Sequence, residues 1–262
     1  MTKRYAVIGD IIAEAHNTTL RPGGSAAIAL AIAMLGGSIK LRSVLATDDP
    51  GNEVLSILKQ ARIHPGLLDK TDGATTAIVR RNDDGEVIER RDGIGIEKGA
   101  IMDIYDLFGH DALVLDARDQ RLRRFLSDLP AHTDGNVRMI GTLGHLDWNE
   151  PSIDEMEIAL RFDTIVGTAN QYAKLTGRPS PTDALGDIFD RMPGTHLRAA
   201  AAVTPDGLEL IAREDRVLRP IQHVVPDLLL PQAVAGIAWG LAHRADWDIA
   251  ATAAADPSQI TK

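Results

Sequence analysis

The 262-residue chain contains no cysteine. That absence removes disulfides, thiolate metal sites and cysteine nucleophiles together, and it agrees with a reducing compartment. No apolar run reaches the roughly 18 residues that span a bilayer. The start, Met1-Thr2-Lys3-Arg4, leads straight into strand-like Tyr5-Ala6-Val7-Ile8-Gly9 without a cleavage pattern. A cytoplasmic protein with no membrane partner is expected. Basic charge is also short: 28 Lys and Arg stand against 37 Asp and Glu, a net charge of -9. Phosphate backbones are held mainly by clustered Lys and Arg, so a nucleic-acid partner is not expected. The one basic cluster, Arg121, Arg123 and Arg124, reads as the solvated face of a helix whose buried face is Leu122, Phe125 and Leu126. His16, His64, His110, His132, His145, His196, His223 and His243 show no metal-ligand spacing, so no metal site is assigned. The fingerprint Gly-x-Gly-x-x-Gly is missing as well, which argues against a plain dinucleotide-binding protein that uses Pro22-Gly23-Gly24 as its phosphate turn.

What is present is a layered pattern. With 44% hydrophobic and 25% charged residues, the chain suits one large core, read as a single domain over 1–262. Strand-like and helix-like runs alternate: Tyr5 to Gly9, Ala26 to Leu35, Lys40 to Leu45, Asn52 to Gln60, Leu113 to Leu115 and Arg121 to Leu129. The rhythm continues through Val137 to Ile140, Met156 to Leu160, Thr164 to Val166 and Tyr172 to Thr176. It predicts an α/β fold, a parallel sheet covered by helices. One segment departs from it. Thr75 to Arg81 and Glu86 to Arg91 are strand-like runs joined by Asn82-Asp83-Asp84-Gly85, a hairpin turn signal. Such a hairpin is a flap over a cleft, a pairing edge for a second subunit, or an ordinary edge hairpin. Gly141-Thr142-Leu143-Gly144-His145 follows a buried-looking strand and reads either as a cleft-facing loop or as a plain βα connection.

The run Arg21-Pro22-Gly23-Gly24-Ser25-Ala26-Ala27 and the alanine-rich stretch to Gly37 resemble the Gly-Gly signature of the ribokinase-type (PfkB) sugar and nucleoside kinases and the helix after it. Ser43-Val44-Leu45-Ala46-Thr47-Asp48-Asp49-Pro50-Gly51 is similar to the next strand and Asp-x-x-Gly turn, and Asp163 to Gly177 to the strand and helix that end in Leu-Thr-Gly. Val7-Ile8-Gly9-Asp10-Ile11-Ile12-Ala13-Glu14 resembles the opening strand, with Glu14 at the place of a substrate-binding acid. Fold, order and spacing agree along nearly the whole chain. The resemblance implies a mostly parallel sheet flanked by helices, with a small β lid formed by segments 10–24 and 73–98. It further implies a sugar or nucleoside under the lid, ATP with Mg²⁺ beside it, and a homodimer formed through the lids. Carried over by motif, Glu14, Gly23, Gly24, Ser25 and Arg80, with Arg81 next to it, fall on the substrate side. Ser25 is equally a cap for the following helix, and the arginines equally solvated strand ends.

Phosphoryl transfer needs a base for the acceptor hydroxyl, a metal between the phosphates and positive partial charge facing the transferring group. The family places a Gly-Ala-Gly-Asp turn before a helix that Val234 to Leu241 resembles. Here the turn reads Val225-Pro226-Asp227-Leu228-Leu229-Leu230-Pro231-Gln232-Ala233, and no glycine occurs between Gly207 and Gly236. Anchoring on the helix puts Pro231 at the catalytic position, whereas anchoring on Asp227 puts Ala233 there. Neither accepts a proton. Thr168 and Gln171 stand where an Asn-x-x-Glu motif would recruit Mg²⁺, and a neutral amide is a poor ligand for a hard cation. Thr204 and Gly207, in Val203-Thr204-Pro205-Asp206-Gly207, are what remains of a nucleotide loop, and Ala27 replaces a sugar-binding Asn. The expectation is a kinase homologue impaired or inactive in phosphoryl transfer and retained for ligand binding or assembly. The alternative is an active kinase with Asp227 as a relocated base, since it is the only carboxylate between Asp215 and Asp246.

Overall fold

The computed structural model describes residues 2–16, 19–63, 67–71, 73–81, 87–97, 109–129, 137–191, 196–214 and 217–256, with backbone alone at His16 and 67–71. The Asn82-Asp83-Asp84-Gly85 turn, the end of the lid segment at residue 98, His64 and His132 lie outside the described residues.

Strand β1 (Arg4–Gly9) is buried along almost its full length, because neighbours and helices cover both of its faces. That is why it reads as an unbroken apolar run rather than an alternation. It pairs in parallel with β4 (Ser38–Ala46) and β8 (Ala112–Asp116). Further parallel pairs add β5 (Leu67–Thr71) beyond β4, and β9 (Arg138–Thr142), β10 (Thr164–Thr168) and β11 (Ala199–Thr204) beyond β8. An antiparallel hairpin, β12 (Gly207–Glu214) and β13 (Val217–Val224), completes a nine-stranded sheet. The odd and even residues of β1 enter two different cores. Tyr5 and Val7 pack with α1 (Gly24–Met34), α2 (Asp49–Gln60), α7 (Leu230–His243) and α8 (Trp247–Ala255). Ala6 and Ile8 pack with α3 (Gln120–Ser127), α4 (Glu155–Ala159), α5 (Ala169–Thr176) and α6 (Pro181–Arg191).

Local chemistry sets the helix ends. Asp48 caps α2 by accepting from Gly51 N at 3.1 Å, with Pro50 in the first turn, and α5 stops at Gly177 in the left-handed region. Helices α7 and α8 approach backbone to backbone, since a Cβ at Gly236 would meet the Ala254 main chain at 2.1 Å and one at Gly240 would meet Ala250 Cβ at 2.3 Å.

Four strands form a second sheet in the order β3 (Thr19–Gly23), β2 (Ile11–His16), β6 (Ala77–Arg81), β7 (Val87–Arg91). The expected hairpin is therefore present, and residues 11–23, short as they are, supply two further strands. Ala77 and Val79 on the inner face of this sheet pack against Trp148 from the body, with Ile12 and Val87 beside them. The remaining correction concerns Arg123. Far from lying on a solvated face, it is 4% exposed and pairs with Glu155, while Arg124 stays half-exposed and bridges to Asp154.

Candidate functional site

Strand polarity gathers the chemistry at one edge. Asp10 follows β1, Asp116 ends β8 and Thr142 ends β9, so their side chains collect where the carboxyl ends of the parallel strands meet the lid, the usual place for a ligand in open α/β sheets. β13 is antiparallel to β12, itself antiparallel to β11, so β13 also finishes at this edge and α7 starts from it. α1 begins there too: Ser25 N and Ser25 Oγ both donate to Asp10 O, at 3.0 and 2.9 Å. Ser25 is fully buried, so its hydroxyl ties the helix to β1.

The Asp10 carboxylate, 1% exposed, accepts from Ile96 N and Arg118 N at 2.7 Å each and from Arg118 Nε at 3.1 Å. Arg118 also donates to Gly93 O and Ile94 O at 2.9 and 3.1 Å, and its guanidinium lies 4.6 Å over the Trp148 ring. The segment that leaves the lid is thus pinned to the end of β1. Asp116 accepts from the Thr142 hydroxyl. Burial raises its pKa to about 6, with the charges of Asp10, Asp147 and Glu14 adding to the shift and the Thr142 bond opposing it. Two glycines make room for this carboxylate. Gly24, at φ +56, would bring a Cβ to 3.3 Å from Asp116 Oδ2, and Gly144 would bring one to 2.7 Å from Oδ1.

The lid contributes Glu14 and Arg81. Arg81 Nη2 donates to Asp147 Oδ2 at 2.9 Å, Arg81 Nε lies 3.5 Å from Glu14 Oε1, and Arg90 Nη1 donates to Asp147 O at 2.5 Å. Asp147 belongs to a 3₁₀ turn, Gly144–Asp147, so the Gly141-to-His145 stretch is part of the site's wall. Behind this turn, His145 Nε2 sits 2.9 Å from Glu155 Oε1 in a buried group with Arg123. Burial and the Arg123 charge push the His145 pKa down, so the imidazole is neutral and Arg123 balances Glu155.

The other residues singled out from the sequence take these places. Gly23 and Gly24 open α1 beside Glu14 and Asp116. Arg80 projects from the outer face of the lid, 3.5 Å from Glu89, and lines a cavity of about 270 Å³ with Ala15, Leu20, Ile78 and Arg91. Thr168 and Gln171 form a capping box at the start of α5: Gln171 N donates to Thr168 Oγ1 at 3.2 Å and Thr168 N to Gln171 Oε1 at 2.9 Å. Gln171 is fully buried. Thr204 Oγ1 donates to Gly207 O at 3.3 Å across the β11–β12 turn. Asp227 is exposed with φ 61 in the turn before α7. Of the backbone groups that open α7, Leu229 N donates to Gln232 Oε1 at 3.1 Å, Gln232 N and Ala233 N both donate to Leu229 O, and Pro231 has no N–H. Among the described residues, no group of three or more His, Asp or Glu is placed to hold a metal ion. No described helix is long and apolar enough to cross a membrane.

The sequence read alone did not bring forward Asp10, Asp116, Arg118 or Asp147 as site residues. The signal available for the first two was an acid at the carboxyl end of an apolar strand.

No family model and no curated protein matches the chain. Solved structures do. Ribokinase of Arabidopsis thaliana, complexed with ribose and ATP, gives a TM-score of 0.71 at 16% identity over 100% of this chain and 94% of that one. Fructokinase of Vibrio cholerae O395, in its fructose, ADP and calcium-bound form, gives 0.69 at 15% identity over 97% and 92%. Aminoimidazole riboside kinase of Salmonella enterica, complexed with aminoimidazole riboside and an ATP analog, gives 0.68 at 15% identity over 96% and 92%. Strand order, the two helical layers and the four-stranded lid thus converge with these likenesses on one architecture, and the chain has the ribokinase-like fold of the PfkB sugar kinases.

Proposed function

We propose that the protein is a cytoplasmic PfkB-type homologue that binds a sugar or nucleoside beneath its lid and is impaired or inactive in phosphoryl transfer. The start of α7 carries this reading. Stabilising a transferring phosphoryl group takes backbone N–H groups that face it. Here the N–H groups of Leu229, Gln232 and Ala233 are bonded internally and Pro231 has none, which leaves few of them for an anion. The residues do not fit Mg²⁺ either: Gln171 is neutral, buried and spent on the capping box, where a hard cation would need carboxylate oxygen. ATP is bound in a similar structure; among the described residues the start of α7 offers its phosphates few backbone donors, and no step is assigned to it.

The ligand side is better provided. Glu14, Asp116 and Asp147 offer acceptors and Arg81 a donor near one another where the lid meets the sheet, which suits hydroxyl groups that both donate and accept. Ribose, fructose and aminoimidazole riboside in the similar structures support the same chemical class. Pairing of two chains through their lids belongs to this reading, and a monomeric sedimentation profile at micromolar concentration would count against that part of it.

The test is calorimetric titration with a panel of sugars and nucleosides, and with ATP and Mg²⁺, followed by a phosphate-transfer assay on the same samples. Binding of a panel member without transfer is the expected result. Turnover that Asp227→Asn abolishes would overturn the reading and establish Asp227 as a relocated base.

A further inference from the structure

Arg81 stands between two acids that come from different parts of the fold. Glu14 lies on the neighbouring lid strand, whereas Asp147 lies on the body. Its bond to Asp147 is 2.9 Å long, and that carboxylate is 9% exposed. Arg90 adds a second lid-to-body bond, 2.5 Å to the main-chain oxygen of the same residue. Next to them Trp148 is packed under Ala77 and Val79. Arg118, stacked over the same Trp148 ring, joins Asp10 in holding residues 93–96 to the end of β1. The lid therefore has a fixed base at 93–96 and a separate closing contact at Asp147, and both are made by the chain itself.

From this arrangement we infer that the lid is latched shut by its own arginine: the Arg81 guanidinium occupies the place between Glu14 and Asp147 that ligand hydroxyls would take. Binding then competes with an internal contact, because a ligand that uses either carboxylate must displace Arg81 or share it. Arg80 and Arg81 are adjacent, at a shift in the β6–β7 pairing, and take different partners. Arg80 reaches Glu89 on the outside, and only Arg81 reaches the body. The guanidinium fork suits two carboxylates at once, which a lysine would not reproduce. The acids also hold the Arg81 pKa up against burial, so the latch is charged at every pH at which the protein is handled.

The biological consequence rests on the lid covering a ligand site, but the test needs no ligand and can fail while that reading stands. Trp148 is the reporter, in a chain whose other two tryptophans, Trp239 and Trp247, are replaced by phenylalanine. In Arg81→Gln, acrylamide quenching of Trp148 should rise severalfold. Amide exchange in 77–81 and 87–91 should quicken by about tenfold, the scale of one lost charge-assisted hydrogen bond. Exchange in β8 and β9 should stay unchanged, and Arg80→Gln should behave as the parent. Should Arg81→Gln fail to fold, Asp147→Ala removes the same bond from the body side and carries the same expectation. Parent-like quenching and lid exchange in the folded variant would overturn the latch.

Discussion

Replacing Glu155 with alanine is expected to destabilise the protein by about 3–5 kcal/mol, the range for removing one partner of a buried ion pair. The size follows from what remains. Arg123 Nη2 lies 2.8 Å from Glu155 Oε2 and Nε lies 3.3 Å from Oε1, with the two side chains 5% and 4% exposed. Burial alone would raise the Glu155 pKa, yet the His145 nitrogen and the Arg123 charge hold it well below the usual carboxylate range, so the group is ionised at neutral pH. Without it, a guanidinium stays buried with only the carbonyls of Ala117 and Arg118 for company. Those carbonyls matter, because the Arg118 main chain supplies one of the bonds to Asp10. Urea titration checks the loss. Glu155→Gln, which keeps an acceptor but no charge, should fall between parent and alanine variant. An apolar replacement of both Arg123 and Glu155 should recover much of the stability, since desolvation offsets most of a buried pair's attraction. An alanine variant within 1 kcal/mol of the parent would mean that the pair is solvated in solution.

Asp116 should make the protein less stable as the pH rises through the mildly acidic range. The carboxyl titrates near 6 in the native state and near 4 in an unfolded chain. Between those values the folded protein keeps a proton that the unfolded chain has released. Stability therefore falls as pH climbs from about 4 to about 6, by roughly 2–3 kcal/mol in total, and stays lower above that window. Asp116→Asn preserves the shape and a partner for Thr142 but cannot ionise. The difference between variant and parent isolates Asp116 from the other carboxylates, most of which act in the opposite sense. It should be near zero at pH 4 and should favour the variant by most of that amount at pH 7. A difference that does not change across the window would show that Asp116 ionises as an ordinary surface acid does.

Much of the architecture can be read from the chain because parallel strands buried on both faces leave contiguous apolar runs, as in Tyr5 to Ile8 and Leu113 to Leu115. The Asp48 cap and the Gly177 stop are equally local signals. Site residues were harder to see, since they acquire their roles from distant partners. Asp10 and Arg118 are 108 positions apart, and Arg81 and Asp147 are 66 apart. Arg123 misleads for the same reason. Helical periodicity groups it with Arg121 and Arg124, and only α4, 32 positions downstream, turns it inward. Gln171 is a different case. Thr168-Ala169-Asn170-Gln171 has the spacing of a capping box, so the structural role was written in the sequence beside the metal-site register.

The interlock of Gly236 and Gly240 with Ala254 and Ala250 bears on the order in which the protein can mature. α7 also rests on α1 and crosses β8, β9 and β10, so it covers the middle of one face of the sheet. Both partners of the interlock come after the thirteen strands of the described residues. During synthesis the ribosome therefore releases every described strand before α7 and α8 exist, and a nascent chain with only α1 and α2 on that face carries apolar sheet surface in search of cover. Chaperone dependence during translation, rather than fragility once folded, is where this packing choice would be felt.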